Sequence, residues 1–140
     1  MHDAMSATRA TPSIREADLA LDDAALAELA AFHHAASVDS TQDWAFSTAT
    51  PSRGSAVFVA DAQNAGRGRR GRAWQTDPRG ALAFTVLRRF ALPPMRLAPL
   101  GPAVGVAVAR ALVGLGLESV RVKWPNDLVV GDAKLGGILI

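Results

Sequence analysis

The chain has 140 residues, of which 49% are hydrophobic and 20% charged, and its formal net charge is +2. This length predicts one domain, and the apolar content supplies a core and excludes a disordered chain. The absence of cysteine excludes disulfides, thiolate catalysis and a cysteine zinc site.

The N-terminal segment and the longest uncharged run bear on localisation. Residues 1–15 are rich in Ala, Ser, Thr and Arg, which predicts a flexible start without the apolar core of a signal peptide. The uncharged run from Leu97 to Ala109 contains two prolines and is too short to span a bilayer. The sequence therefore predicts a soluble, cytoplasmic protein that binds no membrane.

The first predicted element is a helix from Asp22 to His34. Aspartates at its start suit the positive end of a helix dipole, and Leu26 and Leu29 recur at helical spacing. His33 and His34 then close the helix as solvated residues at its negative end. A metal role for the histidine pair is disfavoured, because no further ligand cluster accompanies it.

Two buried strands follow, at Ser55–Ala60 and Gly80–Leu87, because both are short apolar runs bounded by loop residues. Leu92-Pro93-Pro94 then breaks the chain. The next element is a helix from Pro99 to Leu115, so apolar that it must be covered on most sides.

The last part of the chain predicts further strands. Val120–Trp124 is one, and Leu128–Ile140 reads as a hairpin around the tight turn Gly131-Asp132. The order of elements predicts an α+β fold, with a mixed β-sheet and helices packed on one face.

The segment between the first two predicted strands is rich in glycine and arginine. Gly66–Gly71 fits Gly-x-Gly-x-x-Gly literally, but a dinucleotide fingerprint opens a helix and has an acidic residue about twenty positions later. Here Asp77–Gly80 is typical of a loop, and Arg88-Arg89 stands near the acidic position. No Gly-Lys-Ser/Thr follows, which excludes a P-loop.

Four arginines within six residues dominate this basic loop: Arg67, Arg69, Arg70 and Arg72. Their mutual repulsion and the neighbouring glycines predict a segment that is mobile when empty and is ordered by a phosphate-bearing ligand. Guanidiniums are suited to a bidentate grip on carboxylate or phosphate. Composition alone also allows a solvated loop or a nucleic-acid contact.

Three further segments accompany the basic loop: Asp39–Gln42, Lys123–Asp127 and Lys134–Ile138. With Gly66–Arg72 they occur in the same order and with similar separations as the signature segments of bacterial biotin–protein ligases. From about Ser37 to Ile140, the chain resembles that family, in its monofunctional type without a DNA-binding domain.

The resemblance implies ATP-dependent formation of biotinyl-5'-AMP and transfer of biotin to a lysine of the biotin carboxyl carrier protein of acetyl-CoA carboxylase. ATP is then the co-substrate, Mg²⁺ its usual counter-charge, and no DNA is bound. Residues 16–140 are expected to form part of a biotin/lipoate ligase-like catalytic domain. The resemblance also implies that this domain is truncated at its C-terminus, because the family continues with further strands and a small barrel.

The resemblance also implies roles for individual residues. Arg69 and Lys134 are expected to be catalytic, because adenylation brings two anions together and needs cations between them. Biotin binding is expected at Ser40, Thr41, Gln42, Gln63, Gly66, Arg67, Gly68, Arg69 and Lys134. ATP binding is expected at Arg67, Arg69, Arg72, Trp74, Asn126 and Lys134. Gln42 departs from the asparagine usual in the family, and Asp127 alone identifies no metal site, so the metal ligands are unknown.

Other interpretations stay open at this point. The chain could be a lipoate or octanoate ligase, a non-enzymatic nucleic-acid-binding module that uses the basic loop, or an inactive truncated remnant. Ser40 and Thr41 also suit a turn or a helix cap, and Lys134 suits an ordinary exposed hairpin. Arg70 and Arg72 suit a solvated face, and Trp74 suits core packing.

Overall fold

The structure, a computed structural model, describes residues 21–75, 77 and 80–140. The predicted flexible start at residues 1–15 lies outside the described residues, as do two positions of the Asp77–Gly80 segment. The chain divides into two compact units. Unit 1 extends to Arg67 and resumes from Ala73 to Arg89, and unit 2 comprises Gly68–Arg72 and Phe90–Ile140.

The described residues of unit 1 form a three-stranded mixed sheet with two short helices. Its strands lie in the order β1-β2-β3, with β1 parallel and β3 antiparallel to the central β2. The bounds are α1 at Asp23–Glu28, β1 at Leu29–Val38, α2 at Thr41–Phe46, β2 at Ser55–Gln63 and β3 at Ala83–Arg88. The two strands predicted here are confirmed, with shifted ends.

The predicted helix from Asp22 to His34 is correct only in its first part. The Asp22 carboxylate caps α1 by accepting from the Ala25 N–H at 2.7 Å. The helix ends at Glu28, and the rest of the predicted span is β1, which pairs with β2 along its length. Sheet pairing outweighs the helix propensity of this alanine-rich segment.

The prediction of a solvated histidine pair at a helix end is therefore wrong. The His33 ring stacks on Phe58 at 4.6 Å between centroids and meets the edge of Trp44 at 6.0 Å. His34 Nε2 lies 2.9 Å from Asp61 Oδ1, with both side chains mostly buried. On a strand, successive side chains point to opposite faces, which sends the two histidines to different surroundings.

The core of unit 1 lies between α2 and the sheet. Ala45, Ala56 and Phe58 are buried there, and Ala31, Trp44 and Leu87 pack against them. Along β3, side chains alternate between half-buried and exposed positions. Thr85 is paired with Phe58 in the register, which places its hydroxyl on the α2 face of the sheet.

Unit 2 contains one long helix and an antiparallel sheet of order β4-β5-β6. The bounds are α3 at Leu100–Gly114, β4 at Val120–Lys123, β5 at Asp127–Val130 and β6 at Ala133–Gly137. Val130 pairs with Ala133 across the turn, where Gly131 takes a φ of +56°. The predicted hairpin is confirmed. Between β4 and β5, the Trp124–Pro125 peptide bond is cis.

Helix α3 confirms the predicted span but is covered less than expected. Gly105 is buried, and a Cβ there would stand 3.2 Å from a Val122 methyl group. Val106 and Val113 are exposed, so the predicted cover on most sides is wrong for this chain.

The helical stretch Pro94–Gly114 is long and apolar enough to cross a membrane, by length and composition, with 21 residues and a mean hydropathy of 1.6. The uncharged run Leu97–Ala109 is shorter than this stretch, which also includes Arg96 and Arg110, so the prediction made from the uncharged run alone does not cover the whole helical stretch. The core helix of a soluble protein meets the same criterion.

The α+β class and the mixed sheet are confirmed. The described strands form two three-stranded sheets, one in each unit, where the sequence predicted one sheet.

Candidate functional site

Unit 1 brings together four uncharged polar residues that we call the hydroxyl–amide cluster: Ser40, Thr41, Gln63 and Thr85. Ser40 caps α2, and its hydroxyl accepts from the Asp43 N–H at 3.3 Å. Gln63 is the last residue of β2. The end of one strand and the start of a helix thus place these side chains side by side.

Hydrogen bonds within the cluster fix the Gln63 amide. The backbone N–H of Thr41 donates to Gln63 Oε1 at 2.8 Å, and the Thr41 hydroxyl donates to the same oxygen at 3.0 Å. A flipped amide would set an NH₂ group against the Thr41 N–H, so this orientation is the one the contacts permit. The Gln63 Nε2 donors therefore stay outside the Thr41 contact.

Thr85 was missed by the sequence interpretation. Its hydroxyl donates to Thr41 Oγ1 at 2.9 Å from the middle of β3. A single hydroxyl among the apolar residues Ala83–Leu87 was the available signal. Of the predicted residues, Ser40, Thr41 and Gln63 lie together, and Gly66 lies beside Gln63, since a Cβ added to Gly66 would stand 3.1 Å from Gln63 Nε2. Gln42 follows Thr41 on α2, and its predicted contact with biotin is untested.

The basic loop is closed by short backbone hydrogen bonds. In unit 1, the Trp74 N–H donates to the Gly66 carbonyl at 2.8 Å, and Arg67 forms an isolated bridge with Ala73. In unit 2, the Gly68 N–H donates to the Arg72 carbonyl at 2.7 Å. The predicted mobility of the empty loop stays a prediction.

The four loop arginines differ in their partners. Arg67 forms an ion pair with Asp43 at 2.7 Å, and Arg69 Nη1 donates to Asn126 Oδ1 at 3.2 Å. Arg70 takes a φ of +60°, which is uncommon for a residue with a side chain. Within the described part of the chain, Arg70 and Arg72 form no ion pair, and both are exposed.

Two glycines of the loop differ in what surrounds them. A Cβ at Gly66 would stand 2.6 Å from the Trp74 carbonyl oxygen and 3.1 Å from Gln63 Nε2, whereas a Cβ at Gly68 would be 3.4 Å from the Arg72 oxygen. We expect Gly66→Ala to lower the free energy of unfolding by roughly 1–3 kcal/mol, as overpacking does. Gly68→Ala is the control and should change it by less than about 0.5 kcal/mol. Denaturant unfolding of both variants tests this, and equal losses would contradict it.

Unit 2 holds a second group, the cation–amide cluster: Arg69, Asn126, Asp127 and Lys134. Lys134 Nζ lies 2.8 Å from Asp127 Oδ1, and both side chains are partly exposed. The Lys134 nitrogen would lie 3.4 Å from a Cβ at Gly137, so this glycine leaves room beside it. Two cations against one carboxylate leave a net positive charge at this cluster.

Asn126 is held by two hydrogen bonds to Ile138. Its Nδ2 donates to the Ile138 carbonyl at 3.0 Å, and the Ile138 N–H donates to the Asn126 carbonyl at 2.8 Å. With its NH₂ group committed, the Asn126 side chain presents its oxygen to Arg69, which orients the guanidinium. The predicted residues Arg69, Asn126 and Lys134 thus share one cluster, and Asp127 joins them.

The structure offers little for a metal ion. No group of three His, Asp or Glu side chains suited to a metal occurs among the residues that the structure describes. Asp127 faces Lys134, so a cation there would have to displace the ammonium. Two other residues predicted to bind ATP lie in the basic loop. Trp74 is half-buried, and Arg72 is exposed and accepts the Gly68 N–H with its backbone carbonyl.

A family model described as the biotin/lipoate A/B protein ligase family matches residues 35–140. Among curated relatives, the chain is 39% identical over 103 residues to a bifunctional ligase/repressor, BirA, of Salmonella typhimurium, covering 74% of this chain and 32% of the relative. It is 38% identical over 108 residues to a biotin–[acetyl-CoA-carboxylase] ligase of Paracoccus denitrificans, covering 75% and 44%.

The similar solved structures are also biotin protein ligases. The biotin protein ligase of Leishmania major in complex with biotinyl-5-AMP superposes with a TM-score of 0.65 and 31% identity, covering 79% of this chain and 51% of that one. The biotin protein ligase of Aquifex aeolicus in complex with biotin and ATP gives 0.64 and 34%, covering 79% and 46%. This chain thus spans about a third to a half of the length of the proteins it matches. These matches do not favour the other functions that the sequence left open.

Proposed function

Because this chain belongs to the biotin/lipoate A/B protein ligase family, we propose that it carries the front part of a biotin–protein ligase active site. The reaction is formation of biotinyl-5'-AMP from biotin and ATP, followed by transfer of biotin to a carrier lysine. The observation that carries the proposal is the presence of a neutral hydrogen-bonding cluster and a cationic cluster, each built on the segments that resemble the family's signatures.

The hydroxyl–amide cluster suits the ureido group of biotin. A ureido group is neutral and carries a carbonyl acceptor beside N–H donors, so it needs uncharged partners of both kinds. Gln63 keeps Nε2 donors outside its contact with Thr41, and Ser40 keeps a hydroxyl proton while its oxygen accepts from Asp43. Gln42 and Gly66, next to these residues, are proposed to complete the biotin contacts.

The cation–amide cluster suits the phosphate of the adenylate. The biotin carboxylate and the α-phosphate of ATP are both anions, and cations lower the cost of their approach. Arg69 and Lys134 supply two positive charges, with Arg69 oriented by Asn126. As charge moves onto the phosphoryl oxygens, fixed donors stabilise it without reorganisation. Lys134 would exchange its Asp127 contact for the ligand.

The remaining loop residues are proposed to lie along the nucleotide. Arg67 and Arg72 add positive charge, and Trp74 offers an aromatic face for adenine. The glycine at position 68 leaves space for a ligand, because no protein atom lies closer than 3.4 Å to a Cβ there. Gly68→Ala should therefore weaken adenylate binding although it leaves folding intact.

Three further parts of the proposal extend the family assignment. Mg²⁺ would offset the negative charge of the leaving pyrophosphate, and no residue of this chain is assigned as its ligand. The acceptor is proposed to be the biotin carboxyl carrier protein of acetyl-CoA carboxylase. The reaction is proposed to take place in the cytoplasm.

Biotin-dependent exchange of radiolabelled pyrophosphate into ATP tests the proposal. We expect exchange with biotin and none above background with lipoate or octanoate. Exchange with lipoate but not with biotin would instead assign the chain to the lipoate ligases of the same family. Absence of exchange together with no heat of biotin binding in calorimetry would refute the proposed function for this chain.

A further inference from the structure

The hydroxyl of Thr85 takes part in no feature of the proposed reaction, yet it is joined to the hydroxyl–amide cluster. It donates to Thr41 Oγ1 at 2.9 Å, and the Thr41 hydroxyl in turn donates to Gln63 Oε1 at 3.0 Å. Each hydroxyl has one proton, so the donors in this chain point in one direction, from β3 toward the end of β2.

The burial of these side chains supports this direction of the hydrogen bonds. Thr41 is only 4% exposed, so water has little access to its hydroxyl. No side-chain nitrogen or oxygen buried in the described residues lacks a hydrogen-bond partner. A buried polar atom left without a partner costs free energy, which disfavours the alternative rotations of the two hydroxyls.

We propose that Thr85 is a positioning residue that fixes the donor and acceptor polarity of the biotin site. Its proton occupies one lone pair of Thr41 Oγ1 and commits the Thr41 proton to Gln63 Oε1. Two hydrogen bonds then hold the Gln63 oxygen, and its NH₂ group is turned away from Thr41. The cluster thereby offers N–H donors to a ligand carbonyl and discriminates against a ligand that presents a donor at that place. This inference rests on the proposed function.

The test uses two substitutions in the full chain and two ligands. Thr85→Val keeps the shape and suits a strand but removes the hydroxyl, and Thr85→Ser keeps the hydroxyl. The ligands are biotin and 2-iminobiotin, in which a guanidinium, protonated at neutral pH, puts an N–H donor where biotin has its carbonyl oxygen. Calorimetry or competition gives the ratio of the two affinities for each protein.

We expect the wild-type chain to prefer biotin, and Thr85→Val to reduce this preference about two- to tenfold, as loss of one neutral hydrogen bond does. Thr85→Ser should restore it. A packing role alone would weaken both ligands alike and leave the ratio unchanged. An unchanged ratio in Thr85→Val, with biotin still bound by the wild type, would overturn the role of Thr85. A wild-type chain that binds no biotin would instead overturn the proposed function.

Discussion

Replacement of Arg69 by glycine should release biotinyl-5'-AMP about ten- to a hundredfold faster and cause stray labelling of nearby lysines. Arg69 is held toward its cluster by the Asn126 amide oxygen at 3.2 Å. A hydrogen bond to a charged group contributes about 1.5–3 kcal/mol, which corresponds to that range of rates. The adenylate is a mixed anhydride, so once released it reacts with any exposed amine or with water. Rapid dilution of a preformed complex, followed by filtration, gives the dissociation rate.

Arg70→Gly is the matched control for this experiment. It removes an equal charge from the adjacent position, and Arg70 has no ion pair among the described residues. Glycine also suits the φ of +60° at this position, so the free energy of unfolding should change by less than about 1 kcal/mol. Equal dissociation rates for Arg69→Gly and the wild type would contradict the role of Arg69. Equal effects of the two variants would mean that Arg69 acts only through its positive charge and not through its position.

Replacement of Lys134 by methionine should slow adenylate formation about 10²- to 10³-fold, the typical loss when one donor to a developing anion is removed. Two effects act in the same direction. The variant lacks a cation at the phosphate, and it leaves the Asp127 carboxylate, now 2.8 Å from Lys134 Nζ, without this counter-charge. Single-turnover formation of biotinyl-5'-AMP from biotin and ATP measures the chemical step.

The folding of the Lys134 variant should be little affected, because an ion pair with 41% and 28% exposed side chains contributes at most about 1 kcal/mol. Arg121→Met removes one charge from an exposed position of β4 and should leave the rate unchanged. Lys134→Arg should keep part of the rate, because it retains the charge but not the shape. Adenylate formation at the wild-type rate in Lys134→Met would refute the proposed role.

The parts of the fold that local chemistry determines were predictable from the sequence. The turn at Gly131-Asp132 defines the β5–β6 hairpin, and the prolines before α3 mark its start. The run Ser55–Ala60 is apolar enough to be recognised as a buried strand.

The first strand could not be recognised in the same way. Leu29–Val38 is rich in alanine and carries the spacing of a helix, and its strand conformation depends on pairing with β2, which follows it by many residues in the chain. The stacking of His33 on Phe58 and the contact of His34 with Asp61 follow from that pairing. No local signal in the sequence indicates either one.

In the candidate site, too, some residues could be identified from the sequence and others only from the structure. Resemblance to the family identified Thr41 and Gln63, and the structure places them in direct contact. The contact of Thr85 with Thr41 depends on the pairing of β3 with β2, and the role of Asp127 as the partner of Lys134 depends on the register of the β5–β6 hairpin, which the sequence does not show. The different steric freedom of Gly66 and Gly68 likewise depends on the closed shape of the loop, which repetition of glycine and arginine does not reveal.

A crystal structure of the chain soaked with biotinyl-5'-AMP would test the central claim most directly. The claim is that Arg69 in the glycine-rich loop and Lys134 on β6 together offset the charge of the acyl phosphate. We expect a nitrogen of each side chain within about 3 Å of a phosphate oxygen of the bound adenylate. An adenylate bound with residues 66–72 turned toward bulk solvent, and with neither nitrogen near its phosphate, would contradict this account.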